Sequence, residues 1–367
     1  MEEPKIPEEV GCVLPVPTGW PGHFARWAVG AAARWYEWSA YVLLFSVALA
    51  MRLWDLGSRA IHHDESLHAY FAWNLSQGNG YRHDPMMHGP LQMEATAALF
   101  FISGDSDFTA RLVYALAGTA LVGLPFLFRA RLGNLGAVLT SAMLAFSPAM
   151  LYFSRFARND ILVAMWTLGL VICMWRYIDE RRNRHLYISA ALLAFAFATK
   201  ETAYIVTTAL GMYLFLVVML QCWPAIKKEV TIGRVSPPVA VMCIVKGTWT
   251  HARGLRLSEV SRQGGFLVLL FTLSLPLGSA LVSVFQNTPL LSWSNLVLAH
   301  PVGGSGPIGA PSGGGLVIAG LVVLGALWIS ASVGFHWGKW VWVRCAAIFG
   351  AVWVTLYTTF FTNMAGL

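Results

Sequence analysis

The chain has 367 residues, of which 57% are hydrophobic and only 12% charged, and its mean hydropathy is +0.60. Soluble domains carry about 25% charged residues, so a soluble enzyme is excluded, and 21 Phe with 16 Trp exclude a disordered chain. The net charge of +7 is scattered between apolar runs rather than gathered in one patch, which argues for membrane topology and against nucleic acid.

Residues 1–35 mix Glu, Pro and Arg without the apolar core and cleavage site of a signal peptide, and read as a cytoplasmic N-terminal segment. A spanning helix needs roughly 20 mostly apolar residues. Nine stretches are predicted to span: 36–56, 108–128, 134–154, 160–178, 185–200, 202–223, 264–285, 315–335 and 340–361. With the N-terminus inside, 18 of the 25 basic residues fall on the cytoplasmic side, as the positive-inside bias requires. The seven outer ones are Arg52, Arg59, Arg82, Arg111, Arg155, Arg158 and Lys200. The expected fold is therefore an all-α polytopic membrane protein, a bundle of about nine helices.

Residues 57–107 form a long outer loop that holds five of the ten histidines. Two of its pieces read as helices, Ser66–Ser76 and Pro90–Ile102, the second with Pro at a plausible first position. That piece is apolar but too short to span, so it is expected at the membrane interface. Residues 224–263 form a basic cytoplasmic loop, which solvent or anionic lipid would accommodate. Residues 299–315 are a Gly/Pro/Ser outer loop, flexible or a lid. The five cysteines form no CxxC, and most sit in or beside apolar runs, where cysteine behaves as a small hydrophobe.

Ionisable groups at membrane depth mark function by default. Three outer turns carry them: His62-His63-Asp64-Glu65, Arg155-Phe-Ala-Arg158-Asn159-Asp160, and Thr199-Lys200-Glu201. They face the same side and could converge on one cavity. Each also has a structural reading. Arg155 and Arg158 could be snorkelling anchors, Lys200-Glu201 a helix-end pair, and Asp64-Glu65 a cap and first-turn acid. The histidines leave a divalent metal ion open as a cofactor, but no H-x-x-x-H or H-x-x-E-H spacing occurs. Cations near the membrane plane suit a lipid phosphate, and a carboxylate beside them can take a proton from an acceptor hydroxyl.

The ordered motifs resemble the GT-C membrane glycosyltransferases, including the protein O-mannosyltransferases and the aminoarabinose transferases. The Asp64-Glu65 pair, His88-Gly-Pro-Leu-Gln, Asp107-Phe-Thr-Ala-Arg111-Leu and Ala198-Thr-Lys200 carry that resemblance. His62–His68, Gly80–Leu91, Ser154–Asp160 and Tyr357–Asn363 are more closely similar to a prokaryotic GT-C-like family annotated in connection with archaeal glycolipid assembly or flipping. The likeness covers residues 36–223 well and the last 25 moderately. It implies a sugar moved from a polyprenyl-phosphate donor to a lipid or protein acceptor at the outer face. Asp64 would be the general base or acceptor-orienting carboxylate, Glu65 its support, and Asp160 a second pocket carboxylate. His88 would lie near the donor phosphate, which Lys200 with Arg155 or Arg158 would bind. His63, Asp84 and Glu201 complete the candidate substrate-binding set, and no metal ligand is assigned.

Gly89 departs from the family pattern, replacing the first Pro of a Pro-Pro pair. The resemblance also implies a catalytic core over 36–223, further helices over 264–367, and a missing C-terminal part that a further chain could supply. The rival expectation is a non-catalytic glycolipid flippase accessory or a structural subunit of a membrane complex.

Overall fold

The computed structural model describes residues 22–80, 87–231, 261–286, 288, 296–301 and 308–363, with backbone alone over 22–34 and 222–231. The Asp84 assignment and most of the basic loop 224–263 lie outside the described residues.

The described residues form helices and no strand, apart from two isolated bridges, Val297 with Ser312 and His300 with Ile308. The helices are α1 (Gly22–Leu53), α2 (His63–Ser76), α3 (Leu91–Ser103), α4 (Asp107–Gly123), α5 (Arg129–Phe146), α6 (Pro148–Ser154), α7 (Asp160–Glu180), α8 (Asn183–Phe197), α9 (Thr202–Thr231), α10 (Arg262–Ser274) and α11 (Gly314–Tyr357). Two 3-10 segments, Leu124–Phe128 and Leu277–Phe285, follow α4 and α10. The outer loop contains the two expected helices, each shifted slightly. α2 begins three residues early because His62 and Glu65 close a capping box. Pro90 stands at the N-cap of α3 rather than inside it.

Four of these helices are long and apolar enough to cross a membrane, or five if the pair α10 and Leu277–Phe285, bent by 61°, is one span. The chain is an all-α membrane protein, but nine crossings are not established. Two of the four are 40 and 44 residues long. A straight helix of 44 residues would be about 66 Å long, roughly twice the hydrocarbon thickness. Both runs break at a glycine with non-helical backbone, Gly133 in α5 and Gly338 in α11. Around Gly338 the chain folds back on itself. A Cβ on Gly334 would come within 2.3 Å of the Trp342 ring, and Phe335 meets that ring edge-on with 5.3 Å between centroids. The run 185–200 is realised as the 15-residue α8, which is buried along one side against α7.

The main core lies between α7, α8, α10 and α11, around Leu170, Tyr177, Leu186, Leu193, Phe266 and Leu269. The outward side of α11 is apolar as well: Leu316, Leu321, Leu324 and Trp328 are all exposed. A surface of that kind faces lipid. At the end of α1, Arg52 is fully buried. It donates to Ser154 Oγ at 3.1 Å and to the carbonyls of Ala48 and Leu144 at 3.2 Å, tying α1 to α5 and α6. Close packing there requires Gly118, whose Cβ would strike Ser154 Oγ.

Candidate functional site

The three polar turns meet at one end of the bundle. The N-terminus of α2 brings Asp64 and Glu65, the turn between α6 and α7 brings residues 155–160, and the turn between α8 and α9 brings residues 199–201. Asn159 is buried and donates to the Thr199 carbonyl at 2.9 Å, which fixes the second turn to the third. Trp166 Nε1 donates to Thr199 Oγ1 at 3.1 Å and secures the same joint from α7.

Two carboxylates that are neighbours in sequence have opposite surroundings. Glu65 is 1% exposed and accepts two hydrogen bonds of 2.8 Å from the Arg111 guanidinium. It also accepts the backbone N–H of Ala157 at 2.9 Å and of His62 at 3.0 Å, and Arg59 Nη2 at 3.3 Å. Burial alone would raise its pKa. The Arg111 hydrogen bonds, the two backbone donors and the Arg111 charge outweigh burial and hold it at about 2. Arg111 spends its remaining donors on the carbonyls of Leu56, Arg59 and Ala60. Glu65 thus has its oxygens filled and ties α2, α4 and the 155–160 turn together.

Asp64 is the open one, with a side chain 44% exposed. Its Oδ2 lies 3.3 Å from Arg158 Nη1. Arg158 Nε lies 3.8 Å from Asp160 Oδ2, and Lys200 Nζ donates to Asp160 Oδ1 at 2.8 Å. Asp64, Arg158, Asp160 and Lys200 therefore form one continuous chain of alternating charge. Next along the backbone, Glu201 Oε2 stands 2.8 Å from His88 Nδ1. His88 has left-handed backbone, φ 63°, which is uncommon for a residue other than Gly. The following residue explains how it is held. Gly89 donates its N–H to the Thr199 carbonyl, and Leu91 donates to Ala198. A Cβ on Gly89 would lie 2.1 Å from the Ala198 oxygen.

His88 and Glu201 stand at the edge of a cavity of about 780 Å³. Its walls are mostly apolar, drawn from α9, α10, the 3-10 segment after it, and α11; Leu273, Leu327, Phe349 and Trp353 are among them. Tyr357 also lines it and donates to the Phe197 carbonyl at 3.2 Å. The C-terminal motif is therefore packed beside the site, with left-handed backbone at Thr359, Phe360 and Phe361.

Not every expected residue joins this cluster. Arg155 turns away and caps the C-terminus of α1, donating to the carbonyls of Met51 at 2.7 Å, Trp54 at 2.6 Å and Asp55 at 3.2 Å. It lines a separate pocket of about 330 Å³ with Arg59 and Tyr152. His63 is exposed at the first position of α2 and enters no ion pair among the described residues. Among the described residues no three His, Cys, Asp or Glu side chains are grouped to hold a metal ion.

Residues 87–249 match a family model described as dolichyl-phosphate-mannose-protein mannosyltransferase. Over that stretch the chain is similar to a GT-C-type family. The GT-C match covers somewhat less than half of the 367 residues. It includes His88, Arg158, Asp160, Lys200 and Glu201, and begins after Asp64 and Glu65. No curated protein matches the chain.

Sequence reasoning assigned no role to Arg111, Arg59 or Asn159. Arg111 carried a signal nonetheless: a cation in the second turn of an apolar helix needs a buried anion. Thr199 and Gly89 act through their backbones, and no side-chain pattern reveals that.

Proposed function

We propose that the chain is a membrane glycosyltransferase that moves a sugar from a polyprenyl-phosphate donor to an acceptor hydroxyl at the outer face. One observation carries the reading: the charge chain from Asp64 to Lys200 ends beside a large, mostly apolar cavity at His88 and Glu201. A polyprenyl phosphate has that same composition, an anion at the end of a long hydrocarbon. Its tail fits the cavity between α9, α10 and α11. Its phosphate fits against Lys200 and Arg158, which Asp160 already holds in place.

In this reading Asp64 takes the proton of the acceptor hydroxyl as its oxygen attacks the anomeric carbon. The bond from that carbon to the phosphate oxygen breaks, and polyprenyl phosphate leaves with the bonding electron pair. Lys200 and Arg158 stabilise the charge that grows on the departing phosphate. The ion pair with Arg158 holds the Asp64 carboxylate at the edge of the site. Glu65 holds the N-terminus of α2 and so aims Asp64. Asp160 positions the two cations, and His88 with Glu201 frames the junction of phosphate and tail.

The test is transfer from radiolabelled polyprenyl-phosphate mannose in membranes carrying the Asp64→Asn variant. Loss of transfer by 10²-fold or more, with donor binding retained, is expected. Undiminished transfer removes Asp64 from the chemistry. A second reading, a non-catalytic glycolipid-binding accessory, draws on the fact that neither Asp64 nor Lys200 lines the large cavity. Donor binding without transfer by the unaltered chain would favour it. The comparisons give no support for a further chain completing the site.

A further inference from the structure

His68 lies one helical turn beyond Asp64 on α2, so both side chains project from the same helix face. It is 9% exposed. Its Nδ1 is enclosed and meets no hydrogen-bond partner among the described residues. Buried polar groups are nearly always satisfied, so an enclosed ring nitrogen at a charged site points to a group that binds there. The ring sits within electrostatic reach of His88, Arg158, Asp64 and Lys200. Burial first, then the nearby His88, Arg158 and Lys200 side chains, lower its pKa to about 4, against the opposing pull of Asp64. His68 is therefore a neutral imidazole amid charged neighbours. A neutral imidazole offers one donor and one acceptor. A hydroxyl can donate to Nδ1 or accept from it, and so satisfies that nitrogen in either tautomer, whereas a phosphate oxygen serves only the tautomer with the proton on Nδ1.

We infer that His68 forms a hydroxyl-binding subsite beside Asp64, where it hydrogen-bonds a hydroxyl of the sugar being transferred. The inference rests on the transferase reading above and adds to it. Arg158 and Lys200 hold the anion, and His68 orients the uncharged sugar so that its anomeric carbon faces the acceptor. His68 is then a specificity-determining residue. Nothing in its geometry requires it to accept the acceptor's proton, a task left to Asp64.

The experiment measures binding of two lipids, polyprenyl-phosphate mannose and polyprenyl phosphate without sugar, to the full chain in nanodiscs of neutral lipid. For His68→Ala, affinity for the mannosyl lipid is expected to fall about tenfold, the effect of one lost hydrogen bond, with affinity for the sugar-free lipid unchanged. His68→Phe fills the same space without polar atoms and should show the same selective loss. His68→Asn keeps a donor and an acceptor and should recover part of it. Equal loss for both lipids, or no loss for either, overturns the subsite. Unaltered protein that binds neither lipid fails the transferase reading itself, and the subsite with it.

Discussion

Lys200 Nζ stands 2.8 Å from Asp160 Oδ1, joining the turn before α9 to the first residue of α7. The same carboxylate reaches towards Arg158 at 3.8 Å, so one acid holds two cations that arrive from different turns. If those cations bind the donor phosphate, Asp160 matters through their position. Lys200→Met should weaken donor binding about 10- to 100-fold, the effect of one charge-assisted hydrogen bond. Asp160→Asn should raise the KM for donor by a smaller factor, near tenfold, and spare most of kcat. A kinetic comparison of the two variants checks this; a greater fall in kcat than in affinity for Asp160→Asn would place Asp160 in the chemistry.

Arg155 and Arg158 are three residues apart and should behave differently. Arg158 faces Asp64 and Asp160, whereas Arg155 caps α1. Arg155→Ala should lower thermal stability, by about 1 kcal/mol or more for a lost cap, and leave donor affinity near that of the parent. Arg158→Ala should do the reverse, lowering donor affinity with little change in melting. Thermal unfolding in detergent beside donor binding separates them; matching profiles for the two variants would refute the division.

Glu65 predicts a stability dependence on acid. Its folded pKa of about 2 lies below the ordinary 4.5. The stabilisation is therefore complete above about pH 4.5 and is lost as pH falls through that value towards 2. Glu65→Gln should remove this loss and should also destabilise the protein by about 3–5 kcal/mol at neutral pH, since it leaves the Arg111 charge buried without an anion. Melting temperatures between pH 7 and pH 3 measure both effects.

Glu94 predicts the opposite slope. It is buried on α3, and burial raises its pKa to about 8, only partly countered by the Thr359 hydroxyl. The unfolded chain loses this proton near pH 4.5 and the folded chain keeps it to about 8, so stability falls as pH rises between those values and then levels. Glu94→Gln stays neutral throughout. Its melting temperature should exceed the parent's at pH 8 and differ little at pH 4.5. A parallel fall with pH in both proteins would show that Glu94 does not titrate in this window.

Much of this architecture was legible before any coordinates. Apolar runs fixed the helical class, and the reading of Glu65 as a first-turn acid of α2 matches its place in the capping box, although the helix was expected from Ser66 and the His62 cap was not foreseen. The three charged turns identified themselves because ionisable groups are costly beside lipid, and the fold brings them together. What escaped was of two kinds. The division of labour between Asp64 and Glu65 depends on Arg111, 46 residues beyond Glu65 in the chain, and adjacency in sequence gave no hint of it. Arg155 looked equivalent to Arg158 because spacing says nothing of which carbonyls a side chain will meet. The crossing number is not established either way: hydropathy does not say whether α8 is a full span, or whether a long run broken at Gly133 or Gly338 crosses once or twice.

The departure at position 89 ends as a geometric marker. Its N–H is bonded to Thr199, and its bare Cα lies against Ala198. Proline has neither the hydrogen nor the room. Any related chain with Pro at this position must hold its lysine turn farther from the segment that carries the histidine. The spacing between the Lys200 turn and His88 is thus set by a residue with no side chain.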